Sequence, residues 1–222
     1  GTAYMNNKDI TKQIDSIFWP TWLMVSQLRN GQIIDDGDEM YRRACGWVDK
    51  ARQELREAGF SETSIEHMTY TQCALLDESV LNRKRHDSGS EKWLLSPLQA
   101  KYFNTLNAGE ELWERIKDQL RAPAPDVAVL SCFYRALALG FVGRYREQGD
   151  ERREDIMQAL SQQVPPFILT VDIPVIAAST SAGTGRGRWW FGWISGAVAL
   201  AALWFFLSTT LQGLVSQLTG MS

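Results

Sequence analysis

Apolar residues recur at intervals of three and four along most of the first 164 positions, a spacing that places them on one face of an α-helix. The pattern predicts a first amphipathic helix from Ile10 to Leu28, with a kink or a break at Pro20. Acidic residues at positions 35–38 are candidate N-caps for a second helix, which Gly59 would end. These two elements already indicate a helical chain.

Further along, helical segments alternate with short polar or proline-containing stretches. The run from Thr63 to Glu66 has the pattern of a capping box and predicts the start of a third helix. The polar run from Asn82 to Glu91 predicts an exposed loop, and Asp126 is the predicted N-cap of the most apolar helix. Later helices are predicted at residues 93–103, 109–120, 127–139 and 150–163, and Pro97 either lies in the first turn of the first of these or breaks it. The prediction is an all-α fold of six to seven helices, followed by one C-terminal transmembrane helix.

The predicted transmembrane helix rests on an uncharged apolar stretch near the end of the chain. Trp189 to Leu207 is nineteen residues without a charged side chain, about the length that a helix needs to cross a bilayer. Leu, Ile, Val and Phe within it contribute roughly −2.5 to −5 kcal/mol of insertion free energy. A buried core helix is the alternative, although such helices usually keep a polar face. The expected organisation is a disordered N-terminus (1–9), a helical domain (10–164), a linker (165–188), the transmembrane helix (189–210) and a short tail (211–222).

Charge is confined to the part of the chain before this span. All 23 Lys and Arg and all 26 Asp and Glu residues precede it, and the formal net charge is −3. The lack of a long basic run argues against nucleic acid as the main partner. Because Arg186 and Arg188 stand just before the span and no charged side chain follows it, the N-terminal domain is predicted to be cytoplasmic. Residues 1–4 precede Met5 and are expected to be a cloning remnant.

The chain offers few residues for catalysis or for holding a cofactor. Cys45, Cys73 and Cys132 are scattered through apolar helical stretches, which predicts buried reduced thiols rather than a metal site. His67 and His86 have no nucleophile at a motif spacing and are expected to be structural. We therefore expect no enzyme, no cofactor and no metal.

One acidic pair stands out, Asp77 and Glu78 on the third predicted helix. Adjacent residues on a helix point about 100° apart, so the two carboxylates cannot share a proton as a dyad. Asp77 is expected at the flank of the buried stripe and Glu78 further out. Asp77 could bind a neighbouring backbone or an arginine, or the pair could be an acidic docking feature. A buried Asp77 partnered with Arg144 or Arg146 would combine both possibilities.

The predicted span also contains a packing motif. Gly192 and Gly196 form a GxxxG pattern, whose small residues let two helices approach closely in lipid. Because glycine is common in membrane helices in any case, the motif leaves two possibilities open, self-association or partner packing on the one hand and ordinary composition on the other.

Three stretches of the sequence resemble a known family. They are ALLDESVL at residues 74–81, an aromatic spacing from Trp93 to Phe103 followed by Ala-Gly-Glu at 108–110, and LALGFVGRYRE at residues 137–147. Together they are similar to the TssL/DotU family, the inner-membrane subunits of bacterial type VI secretion systems. The resemblance implies a cytoplasmic domain of two small helical bundles with a cleft, a single span in the bacterial inner membrane and a periplasmic C-terminus.

The resemblance also implies a docking role. The implied partners are an inner-membrane protein of the TssM/IcmF family, the TssJ lipoprotein through the complex, the baseplate subunits TssK and TssE, and a second copy of the chain. Candidate interaction or cleft residues are Asp77, Glu78, Arg144, Arg146 and Gln148. The alternatives are a tail-anchored signalling adaptor outside secretion and a membrane-anchored helical hydrolase that uses Asp77 or Glu78.

Overall fold

The structure, a computed structural model, describes residues 6–145 and 150–167, and helix is the regular secondary structure throughout these ranges. The helices are α1 (Asn7–Arg29), α2 (Gly37–Glu57), α3 (Glu62–Leu81), α4 (Ser88–Leu95), α5 (Leu98–Phe103), α6 (Ala108–Arg121), α7 (Val127–Ala138) and α8 (Glu151–Ser161). The prediction of an all-α fold is confirmed. The chain divides into two units, 1–168 and 169–222, and all eight helices belong to the first.

Most of these helices begin at a side chain that accepts a backbone N–H of the first turn, as N-caps do. Asp36 and Asp126 take this role as the sequence predicts. The predicted capping box at Thr63 is wrong, because Ser61 accepts the N–H of Ser64 at 3.1 Å and α3 starts two residues earlier. Asn6 likewise caps α1, so the helix begins three residues before Ile10.

Helix α1 continues through Pro20 without a break. Proline removes one helical hydrogen bond, so a proline inside a helix persists only where packing holds the helix together. Phe18 and Trp22 stand on either side of Pro20, are fully buried, and stack with ring centroids 5.4 Å apart. Burial of this apolar face outweighs the lost hydrogen bond.

The region around the predicted loop at residues 82–91 differs most from expectation. Helix α4 begins within it at Ser88. Ser96 and Pro97 separate α4 from α5, so the predicted helix over 93–103 is broken at Pro97, which is one of the two predicted possibilities. The reason for the early start of α4 is Asp87, which caps the helix through the Ser90 N–H at 3.0 Å. The Asp87 carboxylate also accepts the Ile34 N–H at 3.0 Å and pairs with Arg83. The loop is therefore short, and part of it is buried.

Helix α3 forms the centre of the fold, and 14 of its 20 residues are buried. Helices α2 and α4 pack against α1 and α3 on one side, while α6, α7 and α8 form a second group that also contacts α1 and α3. The two groups correspond to the two small bundles that the resemblance implies. Large buried side chains fill both: Phe18, Trp22, Tyr70, Trp93, Trp113 and Phe133. The three cysteines are free and buried, as predicted.

The predicted membrane segment lies outside the described residues, as does most of the predicted linker. Across 6–145 and 150–167, none of the helices is both long enough and apolar enough to cross a bilayer.

Candidate docking cleft

Asp77 is the most deeply buried acidic side chain of the candidate site, with only 1% of its surface exposed. Its Oδ1 accepts the backbone N–H of Leu98 at 2.8 Å, and its Oδ2 accepts that of Gln99 at 2.9 Å. These are the first amides of α5, a helix whose own N-cap residue, Pro97, supplies no side-chain acceptor. Asp77 therefore caps a neighbouring helix from within α3, and the expected position at the flank of the apolar stripe is wrong.

Burial dominates the electrostatics of the Asp77 carboxyl. It raises the pKa of Asp77 to about 6, although hydrogen bonds from the Gln99 and Leu98 amides act in the opposite direction. At neutral pH the group is ionised and held by these two amides rather than by an arginine. The suggested partnership of Asp77 with Arg144 is not formed.

Glu78 makes an equivalent clamp on a different segment. Its Oε1 accepts the Val142 N–H at 2.9 Å and its Oε2 accepts the Gly143 N–H at 2.7 Å. The side chain is 8% exposed, and the Arg29 guanidinium stands 3.9 Å from Oε1. Glu78 is thus more buried than its position on the helix suggested, because the turn after α7 folds over it. Two adjacent carboxylates on α3 hold two separate segments, the start of α5 and residues 142–143.

The turn after α7 can approach so closely because Gly143 has no side chain. Its φ is +52°, in the left-handed region, and a Cβ there would meet the Gly109 carbonyl oxygen and the Trp113 Nε1. The Arg144 N–H donates to the Gly109 carbonyl at 3.0 Å, and Trp113 Nε1–H donates to the Val142 carbonyl at 3.0 Å. Gly143 and Arg144, within the LGFVGRYR stretch, are therefore hydrogen-bonded in place against the first turns of α6.

A cleft of about 510 Å³ opens between these segments and α3. Asp77, Glu78, Gln99, Glu110 and Arg144 are among the residues that line it. The Arg144 guanidinium binds the carboxylate of Glu114 on α6 at 2.5 Å. Of the predicted candidates, Asp77, Glu78 and Arg144 are therefore brought together at one cleft. Arg146, Gln148, Gly192 and Gly196 lie outside the described residues.

Sequence reasoning missed Gln99 and Arg29 as contributors to this site. Gln99 Oε1 accepts the Ala108 N–H at 2.9 Å and so joins the α5 segment to the start of α6, where Asn107 provides no side-chain cap. The Arg29 side chain reaches both Glu78 and the surface of Gly140. No local pattern marks either residue, because their partners lie on other elements. The partner of Gln99 is at the start of α6, and Arg29 reaches α3 and the turn after α7.

Comparison with known proteins identifies relatives of this domain. The family model described as type VI secretion system protein DotU matches residues 13–210. The crystal structure of SciP/TssL from the type VI secretion system of enteroaggregative Escherichia coli 042 is 58% identical, with a TM-score of 0.63 over 74% of this chain and 95% of that chain. A comparison with curated proteins finds no match.

More distant solved structures share the fold. The cytoplasmic domain of TssL from Acinetobacter baumannii is 22% identical, with a TM-score of 0.64 over 68% of this chain and 95% of that one. TssL from Vibrio cholerae is 23% identical, with a TM-score of 0.58 over 72% of this chain and 97% of that one.

Proposed function

The chain belongs to the DotU family of type VI secretion system proteins, and we propose that it is a docking subunit of the membrane complex of that system. In this role it anchors and recruits the baseplate of the contractile tail at the inner membrane. The helical domain supplies the docking surface in the cytoplasm, and the partners are the baseplate subunits TssK and TssE.

The observation that carries this proposal is the construction of the cleft. Asp77 and Glu78 each use both carboxylate oxygens to hold backbone amides, and the held segments form part of the cleft lining. A surface whose walls are fixed in advance loses little conformational entropy when a partner binds. Glu110 and Arg144 then present charges of both signs at the cleft, which favours recognition of a polar partner surface.

The same geometry speaks against the hydrolase alternative. A general base must lie within hydrogen-bond reach of the proton that it removes, and no catalytic partner stands beside either carboxylate among the described contacts. The four oxygens of Asp77 and Glu78 instead accept backbone N–H groups at 2.7–2.9 Å. Their chemistry is that of helix and turn capping, which supports a scaffold.

The proposal includes a membrane anchor at residues 189–210, preceded by a linker at 165–188 and followed by a periplasmic tail at 211–222. Its support is the uncharged apolar run and the two arginines that precede it. Through this span the chain would pack on a second copy of itself and on an inner-membrane protein of the TssM/IcmF family, with TssJ joined through the complex. Gly192 and Gly196 are the proposed packing residues.

The docking role is tested by comparing two exposed acidic residues on α6. Glu110 lines the cleft, whereas Asp118 lies two turns further along the same helix and does not. The full-length variants Glu110→Lys and Asp118→Lys would be purified in detergent from cells that express the secretion system, and co-purifying baseplate subunits would be quantified by mass spectrometry. Thermal unfolding of each variant checks that the domain remains folded.

Glu110→Lys is expected to reduce recovery of the baseplate subunits, while Asp118→Lys retains them. Equal recovery of the baseplate subunits with both variants would show that the cleft is not part of the docking surface. Recovery of no secretion subunit with the unaltered chain, from cells that express the system, would favour the tail-anchored adaptor instead.

A further inference from the structure

A second groove, with a volume of about 530 Å³, lies at the C-terminal ends of α1 and α3 beside the turn after α7. We call it the basic groove, because four cationic side chains line it: Arg29, Arg83, Lys84 and Arg85. Among the described residues that line it, Glu78 is the one carboxylate, and both oxygens of Glu78 already accept backbone N–H groups. The groove therefore carries surplus positive charge in a chain whose net charge is −3.

The surplus comes mainly from Lys84 and Arg85. Arg83 is compensated by a two-point contact with Asp87, in which both N···O distances are 2.8 Å. Lys84 and Arg85 are exposed, and neither side chain forms an ion pair with any carboxylate of the described residues. Arg29 contributes further, since its nearest carboxylate oxygen is 3.9 Å away. Two unpaired cations and one weakly paired cation thus face the same groove.

A buried polar atom points independently to a ligand. Ser79 lines the groove and is only 4% exposed, yet its hydroxyl oxygen has no hydrogen-bond partner within the described part of the chain. A buried hydroxyl without a partner costs about 1–3 kcal/mol. The hydroxyl oxygen itself is closed to solvent, so an incoming polar group would supply the missing hydrogen bond once the Ser79 side chain rotates towards the groove.

The backbone around the groove indicates what kind of anion fits. Leu28 and Arg29 are at the last turn of α1, Asn82 is the C-cap of α3, and Gly140 follows the C-cap of α7. Helix C-termini present carbonyl groups and partial negative charge, which disfavour any anion placed directly on them, a phosphate or a carboxylate, but accept N–H donors. A peptide provides both N–H donors for the carbonyls and carboxylates for the cations.

We propose that the basic groove binds an acidic peptide segment of a partner protein, with carboxylates paired to Lys84, Arg85 and Arg29 and a polar group on the Ser79 hydroxyl. This inference rests on the proposed docking role and adds a second contact surface together with the chemistry of the segment that occupies it. The occupant is a protein segment rather than a free anion or a lipid headgroup.

The test measures binding of a fluorescently labelled peptide of alternating glutamate and glycine to the full-length chain in detergent, by anisotropy at low salt. The same peptide with glutamine in place of glutamate is the ligand control. The double variant Lys84→Glu/Arg85→Glu removes the surplus charge. Arg42→Glu/Arg43→Glu makes an equal charge change at two exposed positions of α2 outside the groove.

We expect the glutamate peptide to bind more tightly than the glutamine peptide, and the Lys84→Glu/Arg85→Glu variant to weaken binding about tenfold or more, as loss of complementary charge does. The α2 double variant should bind almost as the unaltered chain does. Ser79→Ala should weaken binding severalfold without lowering the unfolding temperature, because it removes a hydroxyl that has no partner in the free domain.

Any of these results would overturn the inference: equal binding of both peptides, an equal loss with the α2 variant, or displacement of the peptide by inorganic phosphate at comparable concentration. The inference would also be overturned if the Lys84→Glu/Arg85→Glu variant lost binding to phosphatidylglycerol vesicles but bound the peptide as the unaltered chain does. That result would assign the groove to lipid. If the glutamate peptide does not bind to a chain that still co-purifies with baseplate subunits, only this inference is wrong. If the peptide binds to a chain that captures no secretion subunit, the docking role is wrong instead.

Discussion

Glu78 accepts the backbone N–H of Gly143 at 2.7 Å, across 65 positions of sequence, and so joins the end of α3 to the turn after α7. The contact requires both residues as they are, because the carboxylate supplies the acceptor and the glycine permits the φ of +52°. It lies between the cleft and the basic groove, and Glu78 lines both. One hydrogen-bonded turn thus shapes the two surfaces that we propose for partners.

Glu78→Gln is expected to lower the free energy of unfolding by about 1–3 kcal/mol, because the amide offers one acceptor oxygen where the carboxylate offers two. Hydrogen exchange at Val142 and Gly143 should become faster. Glu57→Gln, at an exposed position of α2, is the control and should change neither quantity. Unchanged exchange at Val142 and Gly143 in the Glu78 variant would show that the clamp does not hold the turn.

Asp77 predicts a pH dependence of stability with a defined sign. Burial raises its folded pKa to about 6, above the value of about 3.9 in an unfolded chain, so the folded state binds more protons between these values. Asp77 therefore contributes stability that is fully present below pH 4 and is lost as the pH rises through 6. Relative to Asp77→Asn, the wild-type unfolding free energy should fall by about 3 kcal/mol across this window. A rise instead would mean that the amides of Leu98 and Gln99 outweigh burial.

Asp87 should behave in the opposite way. Burial alone would raise its pKa, but hydrogen bonds from Arg83 and from the Ile34 and Ser90 amides prevail and hold the pKa of Asp87 well below its usual range. Its contribution is present above pH 4 and is lost as the pH falls below that value. At pH 7, Asp87→Asn should cost about 3 kcal/mol, since it leaves a mostly buried Arg83 without its charge partner.

The control for Asp87 is Asp38, which pairs with Lys92 at 2.7 Å but is 76% exposed. Asp38→Asn should cost about 0–1 kcal/mol, as exposed ion pairs do. Chemical denaturation of both variants makes the comparison. Equal costs for the two substitutions would contradict the buried network around α4.

Gly143→Ala should destabilise the domain more than Gly31→Ala. Both glycines have positive φ, which costs an alanine about 1 kcal/mol, but a Cβ at Gly31 meets nothing within 4 Å. At Gly143 the new methyl group would press on the Gly109 carbonyl and the Trp113 ring, so a total cost of about 3 kcal/mol or more is expected. Thermal unfolding of the two variants decides between a steric and a purely conformational cost.

The proposed membrane packing is tested separately from the helical domain. Replacing both Gly192 and Gly196 with Leu keeps the segment apolar but prevents close approach of a second helix. A bacterial two-hybrid assay for membrane proteins should show weaker association with a second copy of the chain or with the TssM/IcmF-type partner. Ala202→Leu, which lies within the segment but in no pair of small residues four positions apart, is the control. An unchanged signal in the double variant would contradict the packing role.

The sequence alone determined the helical segments and several of their first residues. Helix formation depends on interactions between residues three and four apart, and an N-cap such as Asp36 or Asp126 bonds amides two or three positions away. These signals are local, so apolar spacing and capping residues reveal them. The start of α4 was missed although Asp87 caps it through the Ser90 amide three positions away, because the polar run that contains Asp87 lacks the apolar spacing that indicates a helix.

Only the tertiary structure decided what the Asp77–Glu78 pair does. The helical spacing correctly excluded a shared-proton dyad, but it placed Glu78 too far outward and left the partners of Asp77 open. Those partners are backbone amides 21 and 22 positions away, and those of Glu78 are 64 and 65 positions away. Backbone N–H groups occur at nearly every residue, so no side-chain pattern marks the ones that a carboxylate will bind. The packing of α3 against α5 and against the turn after α7 selects them, because a buried carboxylate is stable only where donors converge on it.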